Sequence, residues 1–237
     1  MGEVPTSKRV LYDLAGAEDD RRFSPYCWRS KMALAHKGLE VETVPWRFTD
    51  KETIRFSGQG RVPVLVDGGH VLADSWAIAV YLEDTYPDRP SLFGGQGSRA
   101  VIKFVNGWAD MILNPGVARL IMADIFLHLH ERDREYFRRT REERFGAALE
   151  AVSADRDTTV VEFRRTLQPL RVTLEHQSYL GGEAPNYADY IVFGAFQWAR
   201  SVSAFRLLEA DDPVAAWRDR LLQAFGGLGQ ATKAYST

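Results

Sequence analysis

Every segment with strand character lies in the first third of this chain, and no convincing strand follows Ser98. The strand-formers are Arg9–Asp13, Val41–Trp46, Val62–Val66 and His70–Ala73, all rich in β-branched and aromatic residues. Between the first two, the sequence from Pro25 to Lys37 predicts a helix: Ser24 suits the N-cap, Pro25 is preset for the first helical position, and Gly38 supplies the C-terminal stop. Strands joined this way should run parallel, with a right-handed crossover. Asp67-Gly-Gly69 turns the other two into a hairpin, because Asp-Gly tolerates the positive φ angles of a tight turn. An amphipathic helix from Trp76 to Tyr86, stopped by Pro87, completes the order β-α-β, loop, β-β-α.

That order predicts an α+β domain over residues 8–93, and Gly94–Gly97 reads as a linker. Residues 98–231 carry only helical patterns: Arg99 to about His130, Glu131–Phe145, Asp155–Gln177, Ala188–Val202 and Pro213–Phe225. An all-α bundle is expected there. Pro115, inside the first of these helices, removes a backbone donor and should kink it, shaping the wall of a cleft.

Composition narrows the function. A net charge of -2 argues against nucleic acid or an anionic membrane as partner, and no apolar run reaches the ~20 residues of a membrane span. A soluble, cytoplasmic protein is expected. The only cysteine, Cys27, rules out an internal disulfide and any multi-cysteine metal site. His128 and His130 are two apart and point in different directions on a helix, so no metal site is expected from them. The arginine-rich run Glu131–Arg144 is interleaved with acids and reads as a solvated helix.

The chemistry gathers at element ends. Ser24-Pro-Tyr-Cys27 stands at a strand-to-helix junction, where unpaired backbone N–H groups and the helix dipole favour an anion. Ser24 is a simple cap or a hydrogen-bond donor to a thiolate that the protein borrows. Cys27 should pack against the sheet as a small apolar residue. Tyr26 and Trp28 are core or cleft lining. Asp74-Ser75, opening the next helix, is an ordinary cap or a receptor for the two charged ends of a ligand.

The junction resembles that of thioredoxin-like folds, and of glutaredoxins with Cys-Pro-Tyr-Cys, with serine in place of the attacking cysteine. By that likeness Val62-Pro63 should be a cis peptide that presents the backbone of Val62 to an extended peptide. Ser24, Val62-Pro63, Asp74-Ser75 followed by Ala77-Ile78, and Asn186-Tyr-Ala-Asp189 together resemble the glutathione S-transferase superfamily. Ser24-Pro-Tyr-x-Trp-Arg, Ala35-His-Lys-Gly38, Tyr86-Pro-Asp-Arg-Pro90 and Leu180-Gly-Gly182 are most similar to bacterial glutathione-dependent β-etherases and etherase-related fungal transferases. Serine-type zeta transferases share Ser24 and Trp28-Arg29 but have a second serine where Pro25 stands.

The resemblance implies a thioredoxin-like domain followed by a helical domain, glutathione as co-substrate, no metal, and a homodimer. It assigns Ser24 to the glutathione sulfur, Val62 and Pro63 to the cysteinyl backbone, and Asp74 and Ser75 to the γ-glutamyl end. Asn186 and Asp189 match a capping box, which is structural. Tyr26, Trp108, Met111, Ile112 and Pro115 are the candidates for contact with an aromatic electrophile, though the last four need no explanation beyond a bundle core. A non-catalytic glutathione or aromatic-ligand binding protein fits the same motifs, and a thiol-disulfide reductase is disfavoured by the serine at 24.

Overall fold

The computed structural model describes residues 8–236. Four strands, β1 (Val10–Leu14), β2 (Glu42–Trp46), β3 (Val64–Asp67) and β4 (His70–Ala73), form one sheet in the order β2-β1-β3-β4. β1 pairs parallel with β2, Leu11 opposite Thr43, and antiparallel with β3, Leu11 opposite Leu65. β3 and β4 form the expected hairpin through Asp67 and His70. The crossover from β1 to β2 is α1 (Pro25–His36), and α2 (Ser75–Thr85) follows β4.

Local chemistry accounts for the ends of these elements. Ser24 caps α1, its Oγ accepting from the Cys27 N–H at 3.2 Å, with Pro25 in the first turn. At the other end Gly38 takes φ 63°, and the Leu39 N–H returns to the Leu34 carbonyl, a closure that needs a residue tolerant of positive φ. Val62-Pro63 is cis, and β3 begins only at Val64, two residues later than sequence pattern places it, because proline has no N–H for the ladder.

The helical part contains α3 (Gln96–Trp108), a π-turn (Ala109–Leu113), α4 (Asn114–Leu127), α5 (Glu131–Phe145), α6 (Leu149–Val152), α7 (Arg156–Thr166), α8 (Gln168–Leu174), α9 (Tyr187–Val202) and α10 (Pro213–Gly227). The kink expected at Pro115 takes another form. The Asn114 N–H reaches back five residues to the Ala109 carbonyl, so a widened turn absorbs the proline and the helix continues into α4. The helix expected over Asp155–Gln177 is two helices, α7 and α8, divided at Leu167 with Pro169 in the first turn of the second. The short α6 and a 3₁₀ segment at Lys51–Ser57 lack a sequence pattern long enough to announce them.

α9 is the spine of the core. Nearly all its residues are buried, from Tyr187 to Val202, mostly apolar but with Asp189, Gln197, Arg200 and Ser201 buried on partners of their own. It lies along α1, and a Cβ on Gly194 would overlap the Pro25 carbonyl oxygen, so glycine is what lets the two helices approach so closely. Trp28 of α1 and Phe193 of α9 meet edge-on with centroids 6.2 Å apart.

The capping box of α9 is present, and Asp189 does more than close it. Fully buried, it accepts from the backbone N–H groups of Leu180 (2.8 Å), Gly181 (3.0 Å) and Asn186 (2.9 Å), and from the Trp217 indole at 2.8 Å. Burial pushes its carboxyl up while these donors pull it down. Replacing Asp189 by alanine would strand four buried donors at about 1 kcal/mol or more each, so we expect Asp189→Ala to lose at least roughly 4 kcal/mol in a chemical denaturation experiment.

Candidate active site

The sheet end and the helical part enclose a cavity of about 580 Å³. Ser24, Pro25 and Tyr26 enter from the start of α1, Gly60, Arg61 and Val62 from the loop before β3, and Asp110, Asn114 and Pro115 from the π-turn and the start of α4. α5 contributes Tyr136, Phe137, Thr140, Arg141, Arg144 and Phe145. Trp46, Phe48 and Trp198 give the interior an aromatic character.

Two polar ties hold these elements in place. In the first, Arg29 of α1, 1% exposed, bridges to the opposite domain. Its Nη2 donates to Asp110 Oδ1 at 2.8 Å and its Nη1 to Asn106 Oδ1 at 3.1 Å. Asn106 and Asn114 also donate to Asp110, at 2.9 and 3.3 Å, so the only carboxylate lining the cavity is fully engaged. The guanidinium lies over the Tyr26 ring, 4.7 Å from its centroid. In the second, buried Asp133 near the start of α5 accepts from the backbone N–H groups of Phe48 (3.1 Å) and Thr49 (3.0 Å) and from the Thr49 hydroxyl at 2.6 Å. That clamp seats Phe48 against Tyr136 and Phe137, with centroids 6.3 and 5.6 Å apart.

Ser24 is 4% exposed, yet it lines the cavity. Its oxygen accepts the capping bond from Cys27, which leaves the hydroxyl proton to donate. Cys27 is fully buried, and burial together with the Asp13 carboxylate pushes its thiol well up. Asp13 is also buried, with Lys31 Nζ 2.7 Å from its Oδ2, a contact of charge rather than of direction since neither carboxylate oxygen has a well-aligned donor. Burial in turn pulls the Lys31 ammonium down.

Ser24, Tyr26, Val62 and Pro115 are brought to the one cavity. Pro63 is buried behind Val62. Asp74 and Ser75 stand at the start of α2, off the cavity lining. Asp74 adopts φ 78° and caps α2, its Oδ1 accepting from the N–H groups of Trp76 and Ala77, both at 3.0 Å. A positive φ at a residue with a side chain costs on the order of 1–3 kcal/mol, and such strain concentrates at ligand clamps. Ser75 is buried, and its carbonyl accepts from the Tyr187 hydroxyl at 2.7 Å. Trp108, Met111 and Ile112 do not line the cavity; Met111 is 74% exposed on the outer face of the π-turn.

Residues without a sequence motif complete the lining: Phe48, Arg61, Asp110, Asn114, Tyr136, Arg141 and Arg144. The run Glu131–Arg144, expected as a solvated helix, in fact turns one face to the cavity. A period-four spacing of Tyr136, Thr140 and Arg144 was the available signal.

Comparison with known families settles the lineage. Residues 23–85 match the description "Glutathione S-transferase, N-terminal domain", and residues 100–225, more than half of the chain, match "Glutathione S-transferase, C-terminal domain". The chain belongs to the glutathione S-transferase family. Glutathione S-transferase Z2 of Arabidopsis thaliana is 34% identical over 116 residues, covering 44% of this chain and 50% of that protein. The chain thus spans about half the length, or less, of the first curated relatives it matches. Among solved structures, glutathione transferase GSTFuA3 of Phanerochaete chrysosporium is 27% identical with a TM-score of 0.80, covering 91% of this chain and 96% of that one. Glutathione S-transferase CsGST63524 of Ceriporiopsis subvermispora, solved in complex with glutathione, is 26% identical with a TM-score of 0.73 and 94% of each chain covered. β-Etherase LigF of Sphingobium sp. strain SYK-6, 21% identical with a TM-score of 0.66 over 92% of this chain and 96% of that one, shares the fold.

In this transferase fold, therefore, the cysteine of the Ser-Pro-Tyr-Cys segment is a packing residue. Among the described residues, no group of three or more His, Cys, Asp or Glu is gathered to hold a metal, and no helix is long and apolar enough to cross a membrane. Cys27 should resist alkylation at about pH 8 in the folded protein and react once guanidinium unfolds it, which mass spectrometry would read directly.

Proposed function

We propose that this transferase is of the serine type: glutathione lies along the cis-proline loop with its sulfur at Ser24, and the thiolate attacks an aromatic electrophile held in the cavity. The observation that carries this reading is the position of Ser24, a cap whose hydroxyl proton is free, at a helix N-terminus that opens into an aromatic-lined cavity. The hydroxyl and the helix dipole both favour the ionised sulfur. Val62 pairs with the cysteinyl backbone, and Asp74 and Ser75 receive the γ-glutamyl end. Tyr26 and Pro115 contact the electrophile. Trp108, Met111 and Ile112 are withdrawn from that role by their place off the cavity.

The leaving group departs with its bonding electrons as the carbon–sulfur bond forms. In β-aryl ether cleavage that group is an aryloxide, and the resemblance of Ser24-Pro-Tyr-x-Trp-Arg and Tyr86-Pro-Asp-Arg-Pro90 to the β-etherases makes this the reaction to test first. Free thiols have a pKa of about 8.5. Glutathione bound here should ionise well below that, and Ser24→Ala should move an ultraviolet thiolate titration back toward it. Turnover of a model aryl halide should fall about tenfold or more while glutathione affinity changes little. Unchanged turnover in Ser24→Ala would overturn the assignment.

The active form is a homodimer. Val101 and Phe104 of α3 and Met111 of the π-turn are apolar residues 64%, 75% and 74% exposed, on the outside of the segment that also walls the cavity. A second copy of the chain covers that face. Light scattering should return twice the 26.8 kDa chain mass, and Phe104→Glu should shift it toward the monomer.

A further inference from the structure

The cavity's charge is as distinctive as its shape. Its lining holds three arginines, Arg61, Arg141 and Arg144, and a single carboxylate, that of Asp110, which Arg29 and two asparagines already occupy. Elsewhere several shielded arginines are paired with a carboxylate, Arg9 with Asp67, Arg22 with Asp13, Arg29 with Asp110, Arg156 with Asp124 and Arg171 with Asp212, while buried Arg200 donates to the Gly229 carbonyl instead. Among the described residues, no ion pair is made by Arg61, Arg141 or Arg144. This excess is local, since the chain as a whole carries a net charge of -2.

Arg141 is the most enclosed of the three. Its guanidinium lies 4.7 Å from the Phe137 ring centroid and 5.0 Å from that of Phe48, and its Nη1 donates to the Thr140 hydroxyl at 2.8 Å. The Tyr136 side chain is a second polar partner, and the hydrogens that neither engages are left for a ligand. Burial and the neighbouring charges of Arg144 and Arg61 draw its pKa down, with Tyr136 opposing them. Arg61 and Arg144 are exposed to solvent, whereas the half-buried Arg141 is costly to leave unpaired unless an anion joins it, and its planar fork between aromatic rings suits a carboxylate on an aromatic ring.

Resting on the reading of this cavity as the electrophile site, we infer that the substrate is an aromatic electrophile bearing a carboxylate, which Arg141, Arg144 and Arg61 receive while the ring stacks among Phe48, Tyr136 and Phe137.

The test pairs 4-chloro-3-nitrobenzoate with its neutral methyl ester. In each, glutathione sulfur bonds to the carbon bearing chlorine, chloride leaves with the bonding electrons, and the thiol proton passes to solvent. The readout is the ratio of kcat/KM for the acid to that for the ester, which cancels the rings' intrinsic reactivity between variants. Arg141→Met and Arg144→Gln should each lower this ratio about tenfold, the loss expected when a charge-assisted hydrogen bond is removed. Arg139→Gln, exposed on α5 outside the cavity, should leave it unchanged. Raising the salt should weaken the acid more than the ester.

An unaltered ratio in Arg144→Gln and Arg141→Met overturns the inference. Should Arg141→Met fail to fold, Arg144→Gln and the salt dependence decide the question. If the variants raise the KM for glutathione and spare the ratio, the arginines serve the tripeptide's own carboxylates and the inference fails. Quenching of Trp46 and Trp198 by the nitrobenzoate reads binding without turnover. Saturable quenching lost in Arg144→Gln, in a protein that turns over neither ring, would uphold the anion site and overturn only the transferase reading.

Discussion

The close approach of α9 to α1 is the contact on which the rest of this molecule depends. α1 is held on one face by the sheet and on the other by the most buried helix of the chain, and Gly194 removes the side chain that would otherwise push Pro25 away. The cost of a glycine inside a helix, on the order of 0.5–1 kcal/mol, is small beside the apolar area joined there by Trp28 and Phe193. The first turn of α1 is thereby fixed, and with it Ser24. Asp189 secures α9 itself by collecting four donors from three separate stretches of chain.

Around that fixed point the cavity is assembled by charges that cross between domains. Arg29 reaches the π-turn, and Asp133 reaches the loop after β2. Each is a buried ionic group, Asp133 with three donors and Arg29 with both Nη groups engaged and its Nε without a partner, an arrangement whose value lies in specifying one geometry more than in raw stability. Between them they set the distance from the Ser24 end of the cavity to the wall formed by α5.

The fold was legible because its punctuation is local. Ser24-Pro25, Asp67-Gly68, Asp74 and Asn186 each announce an element end through their own backbone preferences, and the helical half contains no competing strand pattern. Ser24 lies at one of those ends and reaches the cavity, while Asp74 and Ser75 lie at another, off its lining. The cavity wall formed by α5 was less legible. Arg141 and Arg144 belong to a helix whose acids and bases are interleaved, so the period-four spacing of Tyr136, Thr140 and Arg144 is a faint signal, and the inward face is fixed by Asp133 reaching the loop after β2. Met111 and Ile112 look like core, but the widened turn at Ala109–Leu113 carries them to the outside. Helical periodicity assumes a constant 3.6 residues per turn, and it loses phase at such a place.

The π-turn has a meaning in the bookkeeping of sequence length. One extra residue in a helical turn advances everything after it by about 100°. Upstream of it, Val101 and Phe104 look outward; downstream, Pro115, Ala118, Met122 and Ile125 look into the cavity. A chain shortened by one residue at this turn would keep its helix but rotate the downstream wall out of register. Length at this point is therefore as constrained as residue identity, and a homologue lacking the extra residue would enclose a differently lined space behind the same fold.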